Sequence, residues 1–402
     1  MKGAVMKGAV MTALLSLALV AQGQVGLEFW HSMQSGEETV QALADAFNAA
    51  QAEYRVVPRY VGSYAEAQPR ILAAASSGSV PALYQAEIAF FPRLAADGAL
   101  EDLSGWVAEL PDEMVTDFFP GLWAYGEVGG ARYGLPWNSS TPVLFYNATA
   151  FRQRGVSAPS TWAEFETAAA RMTTRQTQGF VAVAESWTFE AMVNTRGGRL
   201  VTEDGRPNLN SPEAVAALAM VQGLVERRQA IPRSLSEVTF ALLDMVRTRG
   251  MMIFASIANW PDAQRYAVAF DIAAAPIPTG GDLSVPLGGA QLVVMRAAPE
   301  GEKRGAFAFW EFLMAPENLQ TWVEASFYIP VRRSALPLLE PWYAEDPNRR
   351  AALTQLEHAV PRSTNPEFNL WRQYLEEALE RALKGGVPAQ EALDEAQRRA
   401  LE

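Results

Sequence analysis

Five segments at the start of the chain alternate in period, and that alternation limits the architectures open to it. VGLEFWHS (25–32) is a short apolar strand that ends in polar residues. EETVQALADAFNAAQAEY (37–54) then sets Val40, Leu43, Ala44 and Phe47 at helical spacing. YRVVPRYVG (54–62) is a second strand, EAQPRILAAASSG (66–78) a helix closed by Gly78, and VPALYQAE (80–87) a third strand. A β-α-β-α-β run of this kind builds a parallel sheet with crossover helices, an α/β fold. Ligands of such sheets bind beyond the carboxyl ends of the strands. His31-Ser32, Tyr64 and Glu87 each fall just after a strand, so they are expected to converge on one edge.

The pattern continues. STWAEFETAAARM is a capped helix and GFVAVAES a strand; NSPEAVAALAMVQGLVERR is a long helix starting at Asn210 or Ser211. RGMMIFASIANW reads as strand then polar turn, and FDIAAAPIP and GGAQLVVMRAA are further strands. A proline-broken helix pair covers 302–326, and the end of the chain is helix, Gly-Gly turn, helix. With 402 residues the chain exceeds one ordinary core, so two domains are expected. No long linker or repeat separates them, and short crossings must join them. YGLPWNSSTPVLFYN (133–147) has the form of such a crossing: a polar step, Asn138-Ser139-Ser140-Thr141-Pro142, interrupts a single strand-like run. Pro142 removes a ladder donor, and hydroxyls buried beside Trp137 and Tyr146 require hydrogen-bond partners.

The net charge of −12 argues against a nucleic-acid partner, because phosphate neutralisation needs a basic face. The chain has no cysteine, and its two histidines, His31 and His358, lie far apart, which excludes a Cys/His zinc site, a disulfide and a thiol nucleophile. MKGAVMKGAVMTALLSLALVAQGQ combines Lys2 and Lys7, an apolar run from Met11 to Val20 and small residues at Ala21-Gln22-Gly23. That is the three-part pattern of a secretory signal at 1–24, too short in its apolar part for a permanent span. The expectation is an exported, periplasmic protein.

No G-x-S-x-G elbow, H-E-x-x-H, Walker A or dinucleotide fingerprint is present, which weighs against an enzyme, although a phosphodiester hydrolase stays open. The chain instead gathers aromatic and hydroxyl residues at predicted strand ends: Trp30-His31-Ser32, Tyr64, Trp137 to Ser140, Ser186-Trp187, Ser256 to Trp260, and Tyr328. Aromatic faces suit sugar rings, choline or glyceryl carbons, and hydroxyls orient polar groups. Taken singly, each such aromatic is more often core than ligand contact.

FWHSM (29–33), the following ALADAFNAAQAEYRVVPRYVGSYAEA, PWNSSTPVLFYN (136–147), GGAQLVVM (288–295), APENLQTWVEASFYIPVRRSA (315–335) and the terminal VPAQEALDEA carry a resemblance over nearly the whole mature chain. They resemble the periplasmic glycerol-3-phosphate and glycerophosphodiester-binding proteins of ABC transporters, a branch of the extracellular solute-binding protein family 1. The resemblance implies a two-lobed periplasmic binding protein fold with three crossing segments and closure on a ligand in the cleft. It implies a first lobe of 25–138 plus 288–327 and a second of 139–287 plus 328–402. It further implies a monomer without cofactor or metal that hands its ligand to membrane ABC permease subunits. Ser140 matches the family's binding serine, and Tyr64 the tyrosine after the second strand. Glu87 matches the acidic residue that receives glycerol hydroxyls, and Trp187 a cleft tryptophan. Ser256, Gly288 and Tyr328 match a serine after the MMIFAS strand, the first glycine of the GGA crossing and the tyrosine before Ile-Pro.

The chain departs from the family at one point. The family's phosphate-binding arginine precedes a late helix, where this sequence reads VPRSTNPEFNLWRQY and is shorter, which leaves Arg362 or Arg372 to take its place. This favours monoanionic phosphodiesters, such as glycerophosphocholine, over free glycerol 3-phosphate. An oligosaccharide-binding protein of the same fold is the alternative.

Overall fold

The computed structural model describes residues 24–402, so the leader expected at 1–24 lies, but for Gln24, outside the described residues. The first five elements are β1 (Val25–His31), α1 (Glu37–Ala50), β2 (Tyr54–Tyr60), α2 (Tyr64–Ser77) and β3 (Leu83–Glu87). After several short helices come β4 (Leu135–Ser140), β5 (Pro142–Asn147), α3 (Trp162–Met172), β6 (Phe180–Val183) and α4 (Ser186–Asn194). Next are α5 (Pro212–Glu226), β7 (Ala230–Arg233), α6 (Val238–Val246), β8 (Met252–Ser256), α7 (Trp260–Tyr266) and β9 (Ile272–Ala275). The chain ends with β10 (Gly288–Val294), α8 (Glu300–Leu313), α9 (Pro316–Ser326), α10 (Phe368–Gly385) and α11 (Ala389–Leu401).

Local chemistry fixes the helix ends. Ser63 and Glu66 form a reciprocal capping box at the start of α2, and Gly78 closes that helix in the left-handed region at φ 73°. Thr161 and Glu164 repeat the box on α3, and the Ser211 hydroxyl accepts from Ala214 N at the start of α5.

These ten strands divide into two five-stranded sheets, ordered β2-β1-β3-β10-β4 and β9-β5-β8-β6-β7, beside two short two-stranded ribbons. β1 runs parallel to β2 and β3, as the crossover pattern predicts. The first sheet is nevertheless mixed: β10 returns from far along the chain and pairs antiparallel with β3 and β4. The second sheet is mixed too, with β5 antiparallel to β8 and β9. The alternation of side chains along β5 sends Val143 and Phe145 into one core and Leu144 into the other.

The run 133–147 is therefore two strands in two sheets. Ser139 and Ser140 still pair with Gly289 and Gly288 in the first sheet, while Pro142 pairs with Ser256 in the second. Thr141 alone carries the chain across, fully buried. Gln355 meets its hydroxyl and the next carbonyl: Nε2 donates to Thr141 Oγ1 at 3.1 Å and to the Pro142 carbonyl at 2.9 Å, and Oε1 accepts from Ile277 N at 2.9 Å. Gly289, at φ 104°, makes the bulge that lets β10 meet β4 here; a Cβ there would sit 2.0 Å from the Asn138 carbonyl oxygen.

Gly179, just before β6, lets α3 close onto the second sheet: a Cβ at that position would lie 2.0 Å from the Ala169 carbonyl oxygen and 2.4 Å from its Cα. Backbone atoms cannot swing aside as a side chain can. Gly179→Ala is expected to lower stability by about 1–3 kcal/mol in urea unfolding, the usual cost of overpacking. An unchanged midpoint would show that α3 sits further from the sheet.

Candidate functional site

The edge beyond β1 and β3 holds a buried polar chain. Ser32 N donates to Gln85 Oε1 at 2.7 Å, Gln85 Nε2 to Asn138 Oδ1 at 2.8 Å, and Asn138 Nδ2 to the Tyr64 hydroxyl at 3.1 Å. Tyr328 joins this hydroxyl group, and burial raises the pKa of both phenols, so each stays a neutral donor. Tyr328 lies 6.0 Å from Trp322 in a near-parallel stack, and Trp322 stacks on Trp137 at 4.4 Å. This wall fixes the phenol ring.

A charged group stands beside it. Glu87 ends β3, and its Oε1 accepts from Arg372 Nη1 at 3.0 Å, with Arg362 Nη1 at 4.0 Å. Arg362 Nε donates to Glu190 Oε2 at 2.7 Å. Arg362 is 4 % exposed, not a solvated loop charge. Burial works against its charge, but Glu190, the Tyr125 hydroxyl, Glu87 and Glu185 outweigh burial and hold its pKa above the ordinary arginine value. Two cations and two carboxylates thus neutralise one another in a largely buried cluster. Several buried atoms here have no hydrogen-bond partner: Glu87 Oε2, Arg362 Nη2, Arg372 Nε and the Tyr125 hydroxyl. Ser32 Oγ and Ser139 Oγ, at the polar chain, share that condition. Buried polar groups are normally satisfied, so a concentration of orphans marks a place shaped for a polar ligand.

The third group surrounds Gly288. A Cβ there would lie 2.4 Å from Trp187 Cζ2 and 3.0 Å from Ser140 Oγ, so the missing side chain is what lets indole and hydroxyl meet. Trp187 Nε1 donates to the Pro286 carbonyl at 3.1 Å. Glu185 caps α4, accepting from the amides of Trp187 and Thr188 at 2.8 and 2.9 Å, and so fixes where the indole starts. Behind it Glu376 accepts from the Ser186 hydroxyl at 2.6 Å, and burial pushes its pKa up. Ser256, at the end of β8, turns its hydroxyl to Ala258 N at 3.2 Å. It joins the rest through a cavity of about 590 Å³ whose wall it shares with Trp187.

The structure thus brings the sequence-predicted residues into three contiguous sets: Tyr64 with Tyr328, Glu87 with Arg362, and Ser140 with Gly288 and Trp187. Ser256 stands at the margin. Gln85, Tyr125 and Glu190 were not singled out from sequence. Gln85 lies two residues before Glu87 on a strand and so shares its face, and Glu190 lies one turn after Trp187 on α4. Both signals were present in the spacing; for Tyr125 there was none. Arg372, weighed as a substitute for the missing arginine, does reach Glu87. Among the described residues no group of three His, Asp or Glu could hold a metal ion, and no helix is long and apolar enough to cross a membrane.

The family profile of the bacterial extracellular solute-binding proteins matches residues 42–351. The sn-glycerol-3-phosphate-binding periplasmic protein UgpB of Escherichia coli K12 is 27% identical over 416 residues, covering 95% of this chain and 93% of that protein. The crystal structure of UgpB from Mycobacterium tuberculosis in complex with glycerophosphocholine superimposes with a TM-score of 0.83 at 24% identity, over 94% of this chain and 98% of the other. The sugar-binding protein MalE of Xanthomonas citri superimposes equally well, with a TM-score of 0.82 at 22% identity over 94% and 96% of the two chains. The two-lobed periplasmic binding protein fold is common to all of them.

His31, beside this polar chain, is 1 % exposed, and its Nδ1 accepts from Met33 N at 3.3 Å. Burial lowers its pKa from 6.5 to about 4. The folded protein therefore keeps the ring neutral where the unfolded chain already binds a proton. The contribution is flat above pH 6.5 and stability is lost as pH falls from 6.5 toward 4. Urea unfolding of His31→Gln across that window should show a weaker loss than the parent; parallel curves would refute the assignment.

Proposed function

The chain belongs to the bacterial extracellular solute-binding proteins, and from that premise we propose that its cargo is a glycerophosphodiester, with glycerol 3-phosphate a weaker ligand. Proteins of this family deliver small molecules to ABC permeases and are binding proteins, not enzymes. The observation that carries the reading is the pair of guanidiniums at Glu87, Arg362 buried and Arg372 half-buried, each with a buried nitrogen that has no partner. Planar guanidinium forks suit phosphate oxygens. Glu87 Oε2 keeps free lone pairs for glyceryl hydroxyls, and the Trp187 indole offers an apolar wall to the carbons.

Charge decides between the two phosphates. Arg362 and Arg372 face Glu87 and Glu190, so the site is balanced before any ligand arrives. A monoanionic diester disturbs that balance less than a dianionic monoester does. The names of the Escherichia coli and Mycobacterium tuberculosis relatives agree with a phosphorylated glycerol ligand. In the proposed arrangement Tyr64, Ser140, Ser256, the Gly288 amide and Tyr328 hold phosphate or glycerol oxygens. The lobes are proposed to divide near Thr141, Leu287 and Tyr328, and to close by a hinge. Export through the N-terminal leader belongs to the same proposal.

Calorimetric titration with glycerophosphocholine, glycerol 3-phosphate and maltose, side by side, tests the reading. The diester should bind most tightly, the monoester more weakly and maltose not at all. Arg362→Gln should weaken the diester by about tenfold or more, the scale of one hydrogen bond to a charged group. Glu87→Gln should weaken it as well. Maltose binding alone would transfer the site to the oligosaccharide reading.

A further inference from the structure

The cavity beside Trp187 is larger and more apolar than a glycerol phosphate needs. It measures about 590 Å³ and lies beyond the carboxyl ends of β6 and β8, between α6, α7 and the start of α4. Val183, Val238, Leu242, Phe254, Tyr266 and the Trp187 indole form most of its wall. Gln34, which follows β1, reaches it from the first lobe. No arginine or lysine lines it, so it offers no second phosphate site. Of its two carboxylates, Glu185 is already held by the amides of α4.

Its lip is apolar as well. Val238 and Tyr266, both in the wall, are 50 % and 48 % exposed. Apolar side chains gathered around a cavity mouth, rather than scattered singly, mark a binding surface. The indole of Trp187 is the shared wall: it covers Gly288 in the polar site and lines this cavity. A ligand anchored at Glu87 and Arg362 can thus extend an apolar arm past it.

We propose, resting on the binding-protein reading above, that the natural cargo carries a hydrocarbon substituent that lies in this cavity. Such a chain has two sources, an acyl group on the glycerol or an alkyl alcohol esterified to the phosphate. Both present methylenes to the same wall.

The test is a titration in three matched arms, below the aggregation threshold of each compound. Glycerophosphocholine is compared with its hexanoyl-glycerol derivative, the methyl phosphodiester of glycerol 3-phosphate with its n-hexyl phosphodiester, and maltose with hexyl maltoside. The chain should tighten binding by about tenfold or more in at least one phosphate arm, each buried methylene contributing up to about fourfold. The arm that gains identifies the source. Val238→Asp should abolish that gain while leaving the chainless parent within about twofold; Leu242→Asp serves as a second wall variant. If the phosphates do not bind and maltose does, the proposed function fails and the maltoside arm still reads the cavity. Chains that add nothing in any arm, or gains that survive both wall variants, overturn the inference.

Discussion

A single residue of chain separates the two sheets at Thr141, and the molecule depends on keeping that residue dry and satisfied. Backbone passing between two layers leaves the ladders of both, so its donors and acceptors need other partners. Gln355 serves the crossing with one carboxamide, which holds the Thr141 hydroxyl, the Pro142 carbonyl and the Ile277 amide together. Ile277 precedes the return of the chain toward β10, and Gln355 precedes the segment that carries Arg362. One side chain therefore ties the crossing at Thr141 to two segments that are distant in sequence.

The site itself is ordered by burial more than by number of contacts. Glu87 is reached by both Arg362 and Arg372, and Arg362 is oriented by Glu190. Removing one member would strand another charge in a low-dielectric pocket, so the four act as a unit. The neutral side of the site follows the same logic. Gln85 and Asn138 are spent on fixing Tyr64, and the Trp137–Trp322 pair fixes Tyr328, so both phenols are held in place by neighbouring buried groups.

Much of this could be read from the sequence. The alternating periods gave the helices and strands, including helix starts at Thr161 and Ser211 and the stop at Gly78, because those signals are local; the box at Ser63 was missed. The polar step at 138–142 announced a crossing because proline and hydroxyls have no place in a central strand. The sheet order was not legible: β10 inserts between β3 and β4 from about two hundred residues away in sequence order. No periodicity records such a partner. The same holds for the charges. Arg362 has the neighbours of a solvent-exposed loop residue, and only the fold of α4 over it brings Glu190 within reach and buries it.

The carboxylate of Glu87 already faces the guanidiniums that a phosphate would seek. Ligand capture at such a place is an exchange and not an addition, since an internal counter-ion must loosen its hold before an external one gains any. Affinity then measures a small difference between two strong associations. In the proposed site, selectivity would follow from the failure of a poor anion to displace what is there, with Glu87 as a built-in competitor against which every solute is compared.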